Sequence, residues 1–346
     1  MSTPVRVIIA DDSPTLRRTL ALLLAEEKRI EVVGEAGDGA EAMRLTAQLQ
    51  PDVVTMDADM PVLDGLAATQ QIMDKTPTRV LLVCAVSEAR QLDLSFRAIA
   101  AGALELIAKP AAPKGESQAA QGERLRKFGR TLARTILLMA EVPVVRRRPI
   151  SNSSPGERAV GRHRVDVIGI AASTGGPPAL ATVLGKLPST LPTTILIAQH
   201  IAQGFGDGLL RWLQRSCALQ VRLAAEGERC ATGTIYLAPD GCDLTLDAHL
   251  RLHTAPSSGP HSPSGDALLS SIAEAVGARG LGMVLTGMGD DGAAGLLAMR
   301  RAGAACYAQN QHSSAVFGMP QAALDAGAVQ ELLSLERMAR LIVELS

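Results

Sequence analysis

Two groups of polar residues in this 346-residue chain have the types and spacing of reactive sites. The first combines three aspartates with a lysine, namely Asp11, Asp12, Asp57 and Lys109. Three carboxylates held together repel one another unless a cation is present, and oxygen ligands at this density suit Mg²⁺. A carboxylate beside Mg²⁺ and a lysine can accept a phosphoryl group. The first group therefore predicts a phosphate-accepting aspartate.

The second group consists of Ser173, His200 and the neighbouring aspartates Asp290 and Asp291. A serine hydroxyl is a weak nucleophile until a neighbouring base takes its proton, and the base needs a carboxylate to fix its tautomer. Ser173 is followed by Thr174-Gly175-Gly176, a loop that suits a nucleophile with an oxyanion hole and also suits phosphate binding. One of the two aspartates is expected to cap the helix that follows them.

The first block of the chain alternates short β-branched runs with helical patterns. Strands are predicted at 5–10, 30–34, 52–56, 80–85 and 104–107, with a last helix at 114–141. Ser13-Pro14 is a helix-start signal with proline at the first helical position. Such a (βα)5 unit is a flavodoxin-like open parallel sheet, whose ligands sit at the carboxyl ends of the strands. The aspartates of the first group are concentrated at those ends.

A second α/β domain, with a doubly wound parallel sheet, is predicted from residue 165 onward. Strands at 165–171, 194–198 and 282–286 bring Ser173, His200 and the two aspartates to one sheet edge. Short alternating runs over 233–253, around Pro239-Asp240-Gly241, predict an inserted β-hairpin. The proline- and serine-rich stretch between the domains reads as a linker. The predicted organisation is therefore domain 1–141, linker 142–164 and domain 165–346.

Composition excludes several classes of protein. Aromatic residues are only 2% of the chain, too few to build a surface that stacks nucleic-acid bases. No apolar run approaches the roughly 20 residues of a membrane span, and Asp11-Asp12 come too early for a signal peptide. The five cysteines are odd in number and lack a C-x-x-C pair, which argues against disulfides and zinc. A cytoplasmic protein that is not embedded in a membrane is expected. The histidines other than His200 are expected at the surface, namely His163, His249, His253, His261 and His312.

Residues 4–140 resemble the response-regulator receiver domain. The matching pieces are Ala10-Asp11-Asp12-Ser13, Asp57-Ala-Asp-Met-Pro61 with Asp64-Gly65, and Lys109-Pro110. The resemblance implies that Asp57 is phosphorylated, that Lys109 contacts the phosphate, and that Asp11, Asp12, Asp57 and the Asp59 carbonyl surround Mg²⁺. The usual switch hydroxyl is replaced by Cys84 and the usual aromatic by Leu106, so a weaker response to phosphorylation is expected.

Residues 165–346 resemble the catalytic domain of the chemotaxis protein-glutamate methylesterase (CheB) family. The matching pieces are Ala172-Ser-Thr-Gly-Gly-Pro177, Gln199-His200, Leu285-Thr-Gly-Met-Gly289 with Asp291-Gly-Ala293, and Ser314-Ala-Val-Phe-Gly-Met-Pro320. The resemblance implies a triad of Ser173, His200 and Asp291, which needs no cofactor, and an oxyanion hole near Thr174 and Met288. The implied reaction is hydrolysis of γ-glutamyl methyl esters on chemotaxis receptors with release of methanol, and some members also deamidate receptor glutamines. The implied phosphodonor is the chemotaxis histidine kinase, and the unphosphorylated receiver is expected to cover the esterase cleft until Asp57 is phosphorylated.

Three other functions remain open at this level. One is a receiver that acts as a binding module and phosphate sink, with incidental esterase activity, and the intact set of Ser173, His200 and Asp291 argues against it. A DNA-binding regulator would use Arg146-Arg147-Arg148, within a segment (111–164) of net charge +8. No helix-turn-helix pattern follows that segment, however, and 165–346 carries a net charge of −4, so no nucleic-acid partner is expected. A hydrolase of small-molecule esters would share the triad.

A monomer is expected because no segment encodes self-association.

Overall fold

The structure is a computed structural model that describes residues 3–84, 97–99, 102–110, 115–142, 165–259 and 261–346. The chain divides into two compact units, Met1–Pro149 and Ile150–Ser346. Most of the predicted linker, including Arg146, Arg147, Arg148 and His163, lies outside the described residues.

The first unit is built on a five-stranded parallel sheet with the order β2-β1-β3-β4-β5. Its strands are β1 (Val5–Ala10), β2 (Ile30–Ala36), β3 (Val53–Met56), β4 (Arg79–Cys84) and β5 (Glu105–Ala108). Its helices are α1 (Pro14–Leu24), α2 (Gly39–Leu49), α3 (Gly65–Lys75) and α4 (Gln118–Ala140). Each strand begins within one residue of its predicted start. Ser13 caps α1 by accepting a hydrogen bond from the Leu16 N–H, which confirms the predicted helix start.

The second unit contains a seven-stranded parallel sheet with the order β14-β13-β12-β6-β7-β9-β8. Its strands are β6 (Val167–Ala172), β7 (Thr194–Gln199), β8 (Gln220–Leu223), β9 (Thr234–Leu237), β12 (Gly280–Val284), β13 (Ala305–Gln309) and β14 (Glu331–Leu333). Its helices are α5 (Gly176–Leu184), α6 (Gly206–Ser216), α7 (Gly265–Val276), α8 (Ala293–Arg301), α9 (Gly318–Asp325) and α10 (Leu335–Leu345). Strands β6, β7 and β12 are buried along their whole length, as in a sheet covered on both faces.

The inserted hairpin is present, but the turn predicted for it is wrong. Strands β10 (Cys242–Leu246) and β11 (Leu252–Pro256) pair antiparallel, and the loop between them spans 247–251. Leu250 in that loop has a φ of 59°. Pro239-Asp240-Gly241 instead connects β9 of the large sheet to β10 of the hairpin. The turn residues were recognised correctly, whereas the strands they join belong to different sheets.

Three strands of the second unit were not predicted individually. Strand β8 has four residues and β14 has three, which is too short to display a hydrophobic period. Strand β13 contains two alanines, a cysteine and a glutamine and so lacks the β-branched signature. Within the described part of the chain, no helix has the length and apolar character needed to cross a membrane.

Candidate functional site

The carboxyl ends of three adjacent strands meet at the first candidate site. Ser173 follows β6, His200 follows β7, and the segment 285–292 follows β12. The His200 N–H donates to the Ala172 carbonyl at 2.8 Å, and the Ser173 N–H donates to the Thr286 carbonyl at 3.0 Å. Backbone hydrogen bonds between neighbouring strand ends therefore bring these segments together, as the sequence predicted for this edge.

A short hydrogen bond joins the imidazole of His200 to Asp291. The distance from His200 Nε2 to Asp291 Oδ2 is 2.6 Å, and the Asp291 side chain is only 1% exposed. A carboxylate on one ring nitrogen fixes the tautomer and leaves the other nitrogen as the base. In this site the free nitrogen is Nδ1.

Hydrogen-bond donors at the start of α7 hold Asp291 in its ionised form. Its carboxylate accepts from Ser264 Oγ at 3.2 Å, from the Gly265 N–H at 2.6 Å and from the Asp266 N–H at 2.9 Å. Burial alone would raise the pKa of Asp291, but hydrogen bonds from His200, Gly265 and Asp266 lower it to about 2. The N-terminal end of a helix also favours a negative charge. Asp291 is thus ionised at neutral pH, beside the imidazole.

Asp290 has a different environment from its neighbour and is exposed to solvent. The expectation that one of the two aspartates caps the following helix is wrong. The N-cap of α8 is Gly292, with a φ of 87° and no side-chain cap. Asp291 instead binds the first turn of α7, a helix that begins 26 residues earlier in the chain. Only the tertiary structure brings that helix end to the carboxylate.

The loop after β6 holds Ser173 through its own carbonyl. That carbonyl accepts hydrogen bonds from the Gly176 N–H at 2.7 Å and from Gln199 Nε2 at 2.8 Å. The same Gln199 amide donates to the His200 carbonyl, also at 2.8 Å. Among the described residues, the Ser173 hydroxyl has no hydrogen-bond partner, and it is half-buried at the edge of the site. A single amide group therefore fixes the backbone of both Ser173 and His200.

The start of α5 is poorly suited to hold phosphate, which was the other interpretation of this loop. The second and third residues of the helix, Pro177 and Pro178, have no N–H to offer. The Gly176 N–H is already bound to the Ser173 carbonyl, and the Ala179 N–H to the Gly175 carbonyl. A phosphate cradle needs several free N–H groups at a helix start. This loop favours presentation of a nucleophile.

The two residues proposed for the oxyanion hole lie on loops that flank Ser173. Thr174 is buried, and its carbonyl accepts a hydrogen bond from Thr286 Oγ1 at 2.9 Å. Met288 follows Gly287, whose carbonyl accepts from the N–H groups of Gly318 and Met319. A Cβ at Gly287 would lie 2.6 Å from the Ser173 Cβ, so this loop passes the serine at a distance that only glycine permits. The backbone around Met288 is therefore held rigidly beside the serine.

His261 belongs to the first candidate site, which its sequence context did not predict. It was expected at the surface, but it is half-buried and its ring is stacked on that of His200, with centroids 5.2 Å apart and planes 10° apart. His261 lies on the loop before α7. That loop is distant in the sequence from Ser173, from His200 and from the segment 285–292. No local pattern of residues marks such a contact.

The second candidate site lies at the carboxyl end of the sheet in the first unit. Asp11, Asp12 and Asp57 each offer a carboxylate oxygen, and these oxygens lie within 4.8 Å of one another. Lys109 Nζ is 2.5 Å from Asp57 Oδ2 and 2.8 Å from Asp11 Oδ2. Asp11 and Asp57 are buried, whereas Asp12 and Asp59 are exposed. All four residues of the first sequence group thus converge.

The electrostatics of this pocket fit a divalent cation. Burial raises the pKa of Asp57 to about 6, although Lys109 acts in the opposite direction. Asp57 and Asp11 raise the pKa of Lys109 against the opposing effect of burial. Because one lysine faces three carboxylates, the donor set retains excess negative charge and consists of oxygen atoms only. Hard cations such as Mg²⁺ prefer that set.

The two positions that depart from the receiver pattern are both buried. Cys84 ends β4 with 1% exposure, and its carbonyl accepts a hydrogen bond from the Lys109 N–H at 2.8 Å. Leu106 lies on β5, paired in register with Leu82, and is 4% exposed. An alternative register of the receiver pattern would use Ser87 as the switch hydroxyl, and Ser87 lies outside the described residues.

Comparisons with known proteins match both units. The family model described as CheB methylesterase matches residues 168–342, and that described as response regulator receiver domain matches residues 7–120. A relative from Myxococcus xanthus named protein-glutamate methylesterase/protein-glutamine glutaminase 3 is 50% identical over 99% of this chain and 94% of its own length. A relative from Anaeromyxobacter dehalogenans with the same printed name is 39% identical over 97% of each chain. The crystal structure of the Thermotoga maritima CheB methylesterase catalytic domain covers 53% of this chain and all of its own, with 28% identity and a TM-score of 0.50.

Proposed function

Because this chain belongs to the CheB methylesterase family and carries a response regulator receiver domain, we propose that Ser173, His200 and Asp291 hydrolyse γ-glutamyl methyl esters of chemotaxis receptors. The observation that carries the proposal is the 2.6 Å contact between His200 and the buried Asp291 at the strand end next to Ser173. The same acyl chemistry, applied to receptor glutamine side chains, would release ammonia.

The orientation of His200 indicates which of its two ring nitrogens takes part in the proton transfers. His200 Nδ1 accepts the hydroxyl proton as Ser173 Oγ attacks the ester carbonyl, while Nε2 stays bound to Asp291. The N–H groups of Thr174 and Met288 stabilise the oxyanion. Nδ1 then returns the proton to the departing methoxide, which leaves as methanol and yields an acyl-serine. A water molecule attacks that ester, Nδ1 takes its proton and returns it to Ser173 Oγ, and the glutamate product is released.

Methanol release from methylated receptor membranes tests this assignment. The Ser173→Ala variant is expected to lose methanol release entirely. Ser216→Ala is the matched control, because that hydroxyl only donates to the Trp212 carbonyl within α6. Normal release by Ser173→Ala would refute the assignment, whereas no release by the wild type, with Asp57 still phosphorylated, would favour a receiver that acts as a phosphate sink.

In the receiver we propose that Asp57 accepts the phosphoryl group from the chemotaxis histidine kinase. Asp11, Asp12, Asp57 and the Asp59 carbonyl would hold Mg²⁺, which supplies charge neutralisation when it is bound. Lys109, at 2.5 Å from Asp57, contacts the phosphate oxygens and stabilises their negative charge. Phosphorylation is proposed to raise the esterase activity.

The phosphodonor dependence of methanol release tests the receiver assignment. With a small-molecule phosphodonor and Mg²⁺, release is expected to rise in the wild type and to stay at its basal rate in Asp57→Ala. Asp74→Asn is the control, since Asp74 is an exposed carboxylate on α3. A response that persists in Asp57→Ala would place the phosphorylation elsewhere.

The proposed partners are chemotaxis receptors as substrate and the chemotaxis kinase as phosphodonor, without nucleic acid. A monomer in the cytoplasm is proposed.

A further inference from the structure

His261 lies outside the proposed triad but packs against one of its members. Its ring lies nearly parallel to that of His200, with a centroid distance of 5.2 Å. This distance falls within the range in which aromatic rings pack favourably. A Cβ at Gly289 would lie 3.8 Å from His261 Cε1, so the ring also sits beside the loop that carries Met288. His261 therefore covers one face of the proposed base.

The segment that carries His261 also holds the carboxylate of the triad. Ser264, Gly265 and Asp266 lie three to five residues after His261 in the sequence and supply three hydrogen bonds to Asp291. One short stretch of chain thus contacts both members of the His200–Asp291 pair. The hydrogen bonds fix the position of the carboxylate, but a single hydrogen bond leaves the imidazole free to tilt about the Nε2–Oδ2 line. A ring packed on its face would remove that freedom.

We propose that His261 is a positioning residue that holds the His200 imidazole by stacking, so that the ring keeps one orientation while its Nε2 stays on Asp291. This inference rests on the proposed esterase function of the same site. Its energetic basis is orientation, because a base displaced by about 1 Å can lose about 100-fold in rate.

A shared metal ion is the other interpretation of the same residues. Ligand atoms of His200, His261 and Asp291 lie within 4.8 Å of one another. A ring nitrogen, however, binds a metal ion in the plane of its ring, and these planes are stacked only 10° from parallel. The two rings cannot both direct a lone pair at one ion without unstacking. The geometry therefore favours positioning over metal binding.

Steady-state kinetics on the full-length protein test the proposal, with methylated receptor membranes as substrate. His261→Ala is expected to lower kcat about 10- to 100-fold while KM stays within about twofold of wild type. His261→Phe retains a ring that can stack and is expected to recover most of the lost kcat. His249→Ala is the matched control, because His249 is exposed in the β10–β11 loop, and its kcat is expected to be unchanged.

A second readout avoids the receptor altogether. The rate at which a fluorophosphonate labels Ser173 reports activation of the nucleophile, and it should fall in His261→Ala and recover in His261→Phe. If His261→Ala does not fold, His261→Gln keeps a polar side chain without a ring and should show the same loss. Wild-type kcat in the ringless variants, or an equal loss in the alanine and phenylalanine variants, would overturn the stacking proposal. If the proposed esterase function itself were wrong, Ser173→Ala would retain methanol release. This result separates failure of the function from failure of the stacking proposal.

Discussion

At the scale of single residues, the side chain of Gln199 joins the backbone of two residues of the candidate site. Gln199 is 4% exposed, and its Nε2 binds the carbonyls of Ser173 and His200 together. Its Oε1 is buried without a partner among the described residues. A Cβ at Gly176 would lie 2.0 Å from that oxygen, so the glycine at the start of α5 makes room for the amide. Gln199 thereby couples the loop that carries Ser173, the proposed nucleophile, to the strand that precedes His200, the proposed base.

Gln199→Met should test this coupling. Methionine fills the space but donates no hydrogen bond, so we expect a stability loss of about 1–3 kcal/mol. We also expect kcat for methanol release to fall about tenfold because Ser173 and His200 lose their common anchor. Gln214→Met is the control. Gln214 lies near the C-terminal end of α6, and its Nε2 donates a single hydrogen bond, of 3.0 Å, to the Val221 carbonyl of β8. An equal fall in kcat in both variants would contradict the coupling.

The depressed pKa of Asp291 gives a pH dependence of stability with a defined sign. Its pKa of about 2 in the folded protein lies below the usual 3.8, so the unfolded chain binds the proton more readily. The contribution of the ionised Asp291 carboxylate to the free energy of unfolding is therefore complete above about pH 4, and it is lost as the pH falls towards 2. The integrated loss is about 2 kcal/mol.

Urea unfolding between pH 2 and pH 5 measures this effect in the second unit. Trp212 is the only tryptophan of the chain and is buried in α6, so its fluorescence follows that unit. Asp291→Asn should show a shallower loss of stability on acidification than wild type. Asp290→Asn changes an exposed neighbour and should retain the wild-type slope. Identical slopes in all three proteins would mean that Asp291 is not the responsible group.

At the scale of secondary-structure elements, two adjacent helices exchange carboxylates at their N-terminal ends. Asp291, which precedes α8, accepts hydrogen bonds from the first turn of α7, while Asp266 of α7 accepts from the Gly295 N–H of α8 at 2.7 Å. A carboxylate near a helix N-terminus satisfies free N–H groups and is favoured by the helix dipole. This exchange locks the loop between β12 and α8, which carries the proposed oxyanion and triad residues. The fold thus stabilises its helix ends and its reactive site with the same groups.

Removing one side of the exchange gives a prediction at this scale. Asp266→Ala should lower the free energy of unfolding by about 1 kcal/mol, the usual cost of losing a helix N-terminal carboxylate partner. It should also lower kcat several-fold, because the loop after β12 loses an anchor. Asp325→Ala removes an exposed carboxylate that only accepts from Gln321 and serves as control for both measurements. An unchanged kcat with reduced stability would limit the exchange to a structural role.

At the scale of the whole molecule, each unit places its reactive residues at the carboxyl edge of its own parallel sheet. Such edges collect loops from several strands, so residues distant in sequence meet there. The proposed chemistry couples the edges functionally, since the receiver would report its phosphorylation state to the esterase. In this chain the two positions that usually transmit that state are Cys84 and Leu106. A thiol is a weaker hydrogen-bond donor than a hydroxyl, and leucine has no ring to change orientation.

The activation ratio is methanol release with phosphodonor divided by release without it. This ratio tests whether Cys84 and Leu106 weaken the response to phosphorylation. The double variant Cys84→Thr with Leu106→Phe should raise the ratio several-fold above wild type, because the hydroxyl and the ring restore both groups that respond to phosphate. Asp57 phosphorylation is measured in parallel to show that the acceptor itself is unchanged. Cys217→Thr, a half-buried cysteine in the second unit, is the control. An unaltered ratio would exclude these two positions as the cause of a weak response.

The sequence by itself determined the elements and the composition of both sites. β-branched runs, the Ser13-Pro14 start and the glycine-rich loops act locally, so strand starts in the first unit and the strand ends that carry Ser173 and His200 could be predicted. Short strands such as β14 could not, because three residues show no period. The positions of Asp11, Asp12, Asp57 and Lys109 at predicted strand ends also predicted that these four residues meet at one edge of the first sheet.

Only the tertiary structure decided how those residues are arranged. It placed Asp291 against the first turn of α7, left Nδ1 as the free ring nitrogen of His200, and set Gln199 and His261 beside His200. The physical reason is that each of these contacts joins segments 26 or more residues apart, or depends on a side-chain direction. Hydrophobic period and capping signals carry information over one or two turns, whereas the contacts that orient a base form only after separate elements have packed.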